Sequence, residues 1–423
     1  MTEPRGPVYI CLDAGLQEDT LDHDVEPPDV ARLGVPSRIG ADPVALRTLA
    51  ERLVASERPV MIPGYAGRDP EAFGQLVELA ELLGVGVLDT NVRLNFPNRH
   101  PLNMTGSGAL EEADCVLFVD VNDFGKPTQK LDSVTRTITS RIPDDATILD
   151  LGFHDLEISS WAHDFTALHP IDVQVTADTV VALPLLLDLC KELTKDEASE
   201  RRDARNRRRE RLAAIHDETW QGWRETAAQR WDDNPVSTAR LAAETWEVIS
   251  DYDWVLTAGT ASDWALRTWD FDRPYRHPGK SLGTATQISI SLGVALAHRG
   301  TGRLVVDLQP DGDLMFDPGA LWVAAYHKIP MLAVMFNNRA YYNDWEHQER
   351  MARARGTDVN KAYLGMEIDN PAPDFAGIAR SFGWHGEGPI TEPDDVRDAV
   401  RRAADVVMSS GQPALVDVVC QYK

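Results

Sequence analysis

Cysteine is scarce in this chain: Cys11, Cys115, Cys190 and Cys420 are the only four among 423 residues. They stand far apart, with no Cys-x-x-Cys pair and no Cys/His ligand spacing, which argues against structural zinc. They read as small apolar side chains in a reducing compartment, so the chain is expected in the cytoplasm. Positive charge is also short. Lys and Arg number 42 against 67 Asp and Glu, giving a formal net charge of −25 and a pI of about 4.8. A general phosphate-backbone binder needs clustered cations, so no nucleic-acid partner is expected. A local anionic cofactor is still allowed, because a phosphate site takes only a few donors. No run of about 18 apolar residues occurs, so no segment reads as a membrane span. The N-terminus, MTEPRGPVYICLDAG, lacks the basic-then-apolar order of a secretory leader. Internal repeats and low-complexity tracts are absent as well.

What is present is a globular composition, 43% hydrophobic, with enough length for two or three domains. Residues 1–40 read as an irregular extension or linker, acidic and rich in Pro and Gly, with one strand-like run at GPVYICL. From 41 to 190 helical and strand-like segments alternate. PVALRTLAERLVAS has apolar residues three and four apart; RPVMIPGY is a buried strand ending at glycine. DPEAFGQLVELAELLG carries Asp69 as N-cap, Pro70 at the first helical position and Gly84 just past the end. Residues 191–234 read as a long, charged, exposed connecting helix. Its run RRDARNRRRER is interleaved with acids and suits solvated intrahelical pairs better than a basic patch. A second α/β domain spans 235–423. The fold class expected is therefore α/β: two doubly wound parallel-sheet domains joined by a long charged helix.

One stretch of the second domain concentrates polar groups at strand ends. LVVDLQ reads as a strand running into Pro310, Asp311, Gly312 and Asp313. Asp317 and Pro318 read as the start of a helix. IPMLAVMFNN is the next strand, ending at Asn337 and Asn338. This is one βαβ unit, and such crossovers are right-handed almost without exception. Both polar groups then share the carboxyl edge of a parallel sheet, where open α/β sheets bind ligands. An Asp carboxylate and an Asn amide oxygen are hard donors that suit Mg²⁺, which commonly takes phosphate oxygens as further ligands. A glycine lets the backbone approach a phosphate closely. Taken singly, each group also reads as an ordinary turn or capped strand end. The Asp-x-Asp of phosphoaspartate phosphotransferases is a different enzyme reading, but DGDLMFD lacks the Gly-Thr or Thr-Val turn that usually follows.

Asp311-Gly312 followed by Asn338 (338 − 311 = 27 positions on) resembles the cofactor motif of thiamine-diphosphate-dependent enzymes, in the acetolactate synthase and benzoylformate decarboxylase group. The resemblance implies Mg²⁺ ligands at Asp311, Asn338 and the backbone carbonyl of Ala340. It implies that Gly312 and Asp313 face the diphosphate. LTAGTASDWAL is similar to the family's earlier diphosphate strand and loop, which implicates Gly259, Thr260 and Ala261. An ungapped comparison puts Thr284 where a large apolar residue usually supports the bent cofactor. Asn337 and Tyr342 join the cofactor-binding set. Tyr341, Tyr342, Trp345 and His347 follow the amides immediately, and His347 is a candidate proton-transfer group. Pro310 stands where the motif has its first glycine.

The wider layout is similar to a middle domain followed by the cofactor domain. GPVYICLDAG resembles the exit of the family's N-terminal pyrimidine-binding domain, which is not otherwise seen in this sequence. The resemblance then implies a partner: a small subunit carrying that domain and the activating glutamate, in a heterotetramer or larger assembly. The activity implied is C–C bond cleavage or formation on a 2-oxo acid or related acyl donor, with thiamine diphosphate and Mg²⁺ as cofactors. A 2-hydroxyacyl-CoA lyase and a non-catalytic regulatory or assembly subunit of the same fold are the alternatives. Some relatives bind FAD or ADP in the middle domain. GYAGRD, after a strand, is the place for it here, with too few glycines for a dinucleotide fingerprint.

Overall fold

A computed structural model describes residues 3, 5, 8–90, 93–157, 168–257, 263–277, 279 and 285–422. Its first sheet contains β1 (Pro59–Pro63), β2 (Gly86–Val87), β3 (Cys115–Val119), β4 (Thr147–Gly152) and β5 (Val173–Thr176). They lie in the order β2-β1-β3-β4-β5, and every pairing is parallel. β1 and β3 are buried at every position, as strands covered on both faces must be. Two helices of this part of the chain start where the local signals put them. The Asp42 carboxylate accepts the N–H groups of Val44 and Ala45 ahead of helix Pro43–Ala55. Asp69 caps helix Pro70–Leu83, and Gly84 ends it at φ +66, a left-handed turn that glycine adopts without strain.

The second sheet contains β6 (Trp254–Leu256), β7 (Leu304–Pro310), β8 (Leu332–Asn337), β9 (His385–Ile390) and β10 (Ala414–Val419). Its order is β9-β10-β8-β7-β6, again all parallel. The two faces of β7 differ. Leu304, Val306 and Leu308 join an apolar core with β6, β8 and helix Val396–Ser410. Val305 packs into a second core, against helices Thr286–Ala297 and Ala320–His327. The two doubly wound parallel sheets expected from the sequence are thus present.

Three local readings are corrected. Val8–Leu12, expected as a strand, has no partner strand among the described residues and stays exposed without ladder pairing. Asp311–Asp313, read as a turn after the strand, forms the first turn of a short helix, Asp311–Phe316. Asp317 ends that helix, and the next begins only at Ala320. An exposed antiparallel hairpin, Gln129–Leu131 with Ile138–Ser140, has no counterpart in the sequence reading.

The charged connector is a 30-residue helix, Ser199–Ala228. Its arginines do not pair mainly within the helix. Arg209 donates to the carbonyls of Glu81 and Leu82, and Arg208 to those of Leu83, Ser56 and Glu57. The carbonyls of Glu81, Leu82 and Leu83 are orphans of the last turn of helix Pro70–Leu83, where the helix dipole also favours a cation, and those of Ser56 and Glu57 lie just past the end of helix Pro43–Ala55. The connector is therefore clamped to the first domain. Farther along, Arg99 of the first domain stacks over Trp220, and Arg267 of the second lies near both Trp223 and Trp264.

Candidate active site

β7 and β8 are neighbours in register, with Phe336 opposite Pro310, so both polar strand ends do meet at one edge. Pro310 closes β7 at φ −69 and ψ 143, within the range its ring imposes, and directly precedes the helix. Its geometry is that of an unstrained exit from the strand.

Asp311 is 1% exposed. Burial pushes its carboxyl up to about 6, against the backbone N–H groups of Gly312, Arg339 and Ala340, which favour the charged form. Its Oδ2 is buried without a hydrogen-bond partner. Across the edge, Asn338 Oδ1 accepts the Ala340 N–H at 3.0 Å. That same N–H also favours the charged form of the Asp311 carboxyl. In this turn Arg339 takes a left-handed φ of +57. The turn is pinned from outside: Ile368 N–H donates to Arg339 O at 2.7 Å and Tyr341 N–H to Met366 O at 2.8 Å.

A buried carboxylate oxygen lacking a donor costs free energy unless a cation or proton meets it. Asp311 Oδ2, the Asn338 amide oxygen and the Ala340 carbonyl are the hard oxygens Mg²⁺ takes, and phosphate oxygens could complete its shell. Among the described residues no cluster of three His, Cys, Asp or Glu side chains could hold a metal. A cation at this edge would therefore depend on a single carboxylate. The residues present fit the metal.

The other sequence-predicted residues divide. Asp313 turns away from the edge: its Oδ1 accepts the Ala285 N–H at 2.8 Å and its Oδ2 the Gln309 amide at 3.3 Å. Gly312 is covered by Tyr341, whose Cδ1 would stand 2.7 Å from an added Cβ. The glycine thus serves close packing of a ring. Asn337 donates from its amide to Asp417 Oδ1 at 2.8 Å, inside the sheet. Tyr342 stacks on Tyr422 with ring centroids 4.6 Å apart, and Trp345 joins them. His347 is exposed on helix Tyr342–Arg355. Gly259, Thr260, Ala261 and Thr284 lie outside the described residues.

Sequence reasoning missed Tyr422 and a buried polar group on β7, Asp307. The last had a visible signal: Asp307 and Gln309 interrupt an otherwise apolar strand on alternate positions. In the first domain, two cavities of about 560 and 510 Å³ share Tyr65 and Asn122 at the carboxyl ends of β1 and β3. That is the switch point of the strand order. The glycines of GYAGRD face the protein's own backbone. An added Cβ would stand 2.5 Å from Asp120 O at Gly64 and 2.1 Å from Leu94 O at Gly67. Arg68 is committed to Asp120 and Asp178.

The fold and this edge define a class: a parallel α/β protein whose neighbouring strand ends bring a buried carboxylate and an amide oxygen to one edge of the sheet. Comparison with known proteins agrees. Residues 257–418 match the family "Thiamine pyrophosphate enzyme, C-terminal TPP binding domain". The "Probable acetolactate synthase large subunit" of Methanocaldococcus jannaschii is 23% identical over 436 residues, covering 98% of this chain and 66% of that protein. The glyoxylate carboligase of Escherichia coli O157:H7 is 23% identical over 432 residues, covering 98% and 68%. The chain thus spans about two thirds of the length of the curated relatives it matches. Among solved structures, the fold is shared with benzoylformate decarboxylase from Polynucleobacter necessarius. That match has a TM-score of 0.66 at 18% identity, covering 95% of this chain and 68% of that one. It is shared as well with the thiamine diphosphate-dependent 4-hydroxybenzoylformate decarboxylase of Rhodococcus jostii RHA1, at TM-score 0.67 and 20% identity, covering 94% and 68%. Residues 257–418 thus resemble the cofactor-binding domain of thiamine-diphosphate-dependent enzymes, and nearly the whole chain is similar to proteins named as members of that group.

Proposed function

We propose that this chain is the large subunit of a two-subunit, cytoplasmic, thiamine-diphosphate- and Mg²⁺-dependent enzyme. It would break or form C–C bonds on a 2-oxo acid or related acyl donor. The single observation that carries the reading is the buried, unpartnered Asp311 Oδ2 beside the Asn338–Ala340 turn, within the matched cofactor domain. When bound, thiamine diphosphate supplies an electron sink for a carbanion. The chain's own residues hold and exclude. Asp311, Asn338 and the Ala340 carbonyl would anchor the metal. Tyr341 shields the Asp311–Gly312 turn from solvent. Tyr342, Trp345 and Tyr422 form an aromatic wall immediately beyond the amides. The activating glutamate and the pyrimidine-ring pocket would come from a partner polypeptide in a heterotetramer or larger assembly.

Titration calorimetry with thiamine diphosphate and Mg²⁺, followed by assay of 2-oxo acids and 2-hydroxyacyl-CoA thioesters, tests the reading. Binding without turnover in the isolated chain, and turnover with the partner, is the expected pattern. No binding in either state ends it. A non-catalytic subunit of the same fold is the second reading, favoured by the ring of Tyr341 standing where Gly312 would otherwise open to a ligand. Cofactor binding with no turnover, even in the complete assembly, would select it.

A further inference from the structure

β7 carries a fully buried carboxylate that the metal site does not use. Asp307 is 0% exposed, on the face of the strand that looks toward helix Thr286–Ala297. Its Oδ1 accepts the Gln287 amide at 2.8 Å and the Thr257 hydroxyl at 3.3 Å. Ser291 donates to that same Thr257 hydroxyl at 2.7 Å, and the Gln287 amide also reaches Leu308 O at 2.6 Å. Thr257, Gln287 and Ser291 are each 0–1% exposed. Asp307 Oδ2 has no hydrogen-bond partner.

Three elements meet in this network. Thr257 directly follows β6, Gln287 opens helix Thr286–Ala297, and Asp307 stands four residues before Asp311 on β7 (311 − 307 = 4). A second tie runs in parallel, from Asp313 Oδ1 to the Ala285 N–H. Stability alone does not account for a carboxylate here. Burying it incurs a large desolvation cost, and an apolar side chain of similar volume is often neutral or better in such a place. The opposite face of the same strand is filled in that way, by Leu304, Val306 and Leu308. What a buried polar hub adds is a fixed relative placement of the groups it bonds.

We propose that Asp307 is a positioning residue for the cofactor site, holding the exit of β6 and the first turn of helix Thr286–Ala297 against β7 through Thr257 and Gln287. The inference rests on the thiamine diphosphate reading above. Burial pushes the Asp307 carboxyl up to about 7, with the Asp313 charge adding to the rise, so its hydrogen bonds operate with the carboxyl largely neutral below that pH. Asparagine keeps the acceptor oxygen and the shape; alanine removes both acceptors and loosens the hold of β7 on Gln287 and Thr257.

Calorimetric titration of the full chain with thiamine diphosphate and Mg²⁺, paired with the Tm of the cofactor-free protein, tests it. In Asp307→Ala the dissociation constant should rise about tenfold or more, the worth of one buried hydrogen bond to a charged or strongly polar group. Asp307→Asn should restore it to within about threefold, whatever either change does to Tm. An Asp307→Ala protein that is folded and binds the cofactor as wild type does overturns the inference, and any Tm loss is then plain packing. Should Asp307→Ala not fold, Thr257→Val cuts the same tie with less volume change. About fivefold weaker binding supports the role, and unchanged binding overturns it. Wild-type protein that binds no cofactor, alone or with its partner, overturns the cofactor reading itself, and this inference with it. Wild-type binding with indifferent variants overturns this inference alone.

Discussion

Asp313 Oδ1 accepts the backbone N–H of Ala285 at 2.8 Å. The second acid of Asp311-Gly312-Asp313 is thereby spent on holding the start of helix Thr286–Ala297, while the first keeps a buried oxygen with no partner. Two carboxylates of one motif have different jobs, and mutation should separate them.

Asp311→Ala should abolish Mg²⁺-dependent cofactor binding. The loss should exceed the roughly 10–100-fold that follows removal of an outer-shell partner of a metal. The fold should survive, because a buried, under-satisfied carboxylate is removed. Asp313→Ala should do the reverse, lowering Tm by the equivalent of about 1–2 kcal/mol through the stranded Ala285 N–H, with a smaller effect on the metal. Calorimetry on both variants decides it, and equal cofactor affinities for wild type and Asp311→Ala would sink the metal assignment.

Gly312→Ala should destabilise by overpacking. Its Cβ would stand 2.7 Å from Tyr341 Cδ1 and 2.8 Å from Cε1, so the ring must move. A cost of about 1–3 kcal/mol is expected. Combining it with Tyr341→Leu should recover part of that loss. Chemical denaturation of the single and double variants gives the coupling, and strict additivity would show that the ring is not the obstacle.

Arg208→Ala should cost about 2 kcal/mol or more, because Leu83, Ser56 and Glu57 lose a cationic donor to their carbonyls. Arg207→Ala, one residue earlier and exposed, should stay within about 0.5 kcal/mol of wild type. Indistinguishable Tm values for the two variants would return the arginine run to a solvated face.

Three buried acids contribute to the pH dependence of the cofactor-free protein. Burial raises Asp307 to about 7, Asp311 to about 6 and Asp417 to about 6. Each binds its proton more tightly folded than unfolded, where a carboxylate titrates near ~4. Their contribution to stability is thus full below about pH 4 and is lost as pH rises through 6 to 7. Asp307→Asn should flatten the fall in Tm between pH 5 and 8 relative to wild type. Parallel Tm–pH curves for the two proteins would contradict the assignment.

Much of this was legible in one dimension, and its limits are instructive. Asp42, Asp69 and Gly84 were readable as caps because a cap is a contact within about four residues. The pairing of Asp311 with Asn338 was readable because a βαβ unit has one handedness and returns both strand ends to the same edge. The start of helix Ala320–His327 was misplaced because Asp317 and Pro318 resemble a helix start, whereas Asp317 ends the turn before it. Val8–Leu12 was misread because strand character in a sequence says nothing about whether a partner strand exists.

The sequence by itself determined the two parallel α/β sheets and the carboxylate–amide pair, since apolar runs, caps and crossover handedness act over short spans of chain. Only the tertiary structure decided which oxygen at the edge is left without a donor. The Ala285 N–H that engages Asp313, the Tyr341 ring over Gly312 and the helix ends gripped by Arg208 and Arg209 all lie at sequence distances no local pattern encodes. The physical reason is that a hydrogen-bonding group is defined by what it faces, and for these residues that is set by folding and not by their neighbours in the chain.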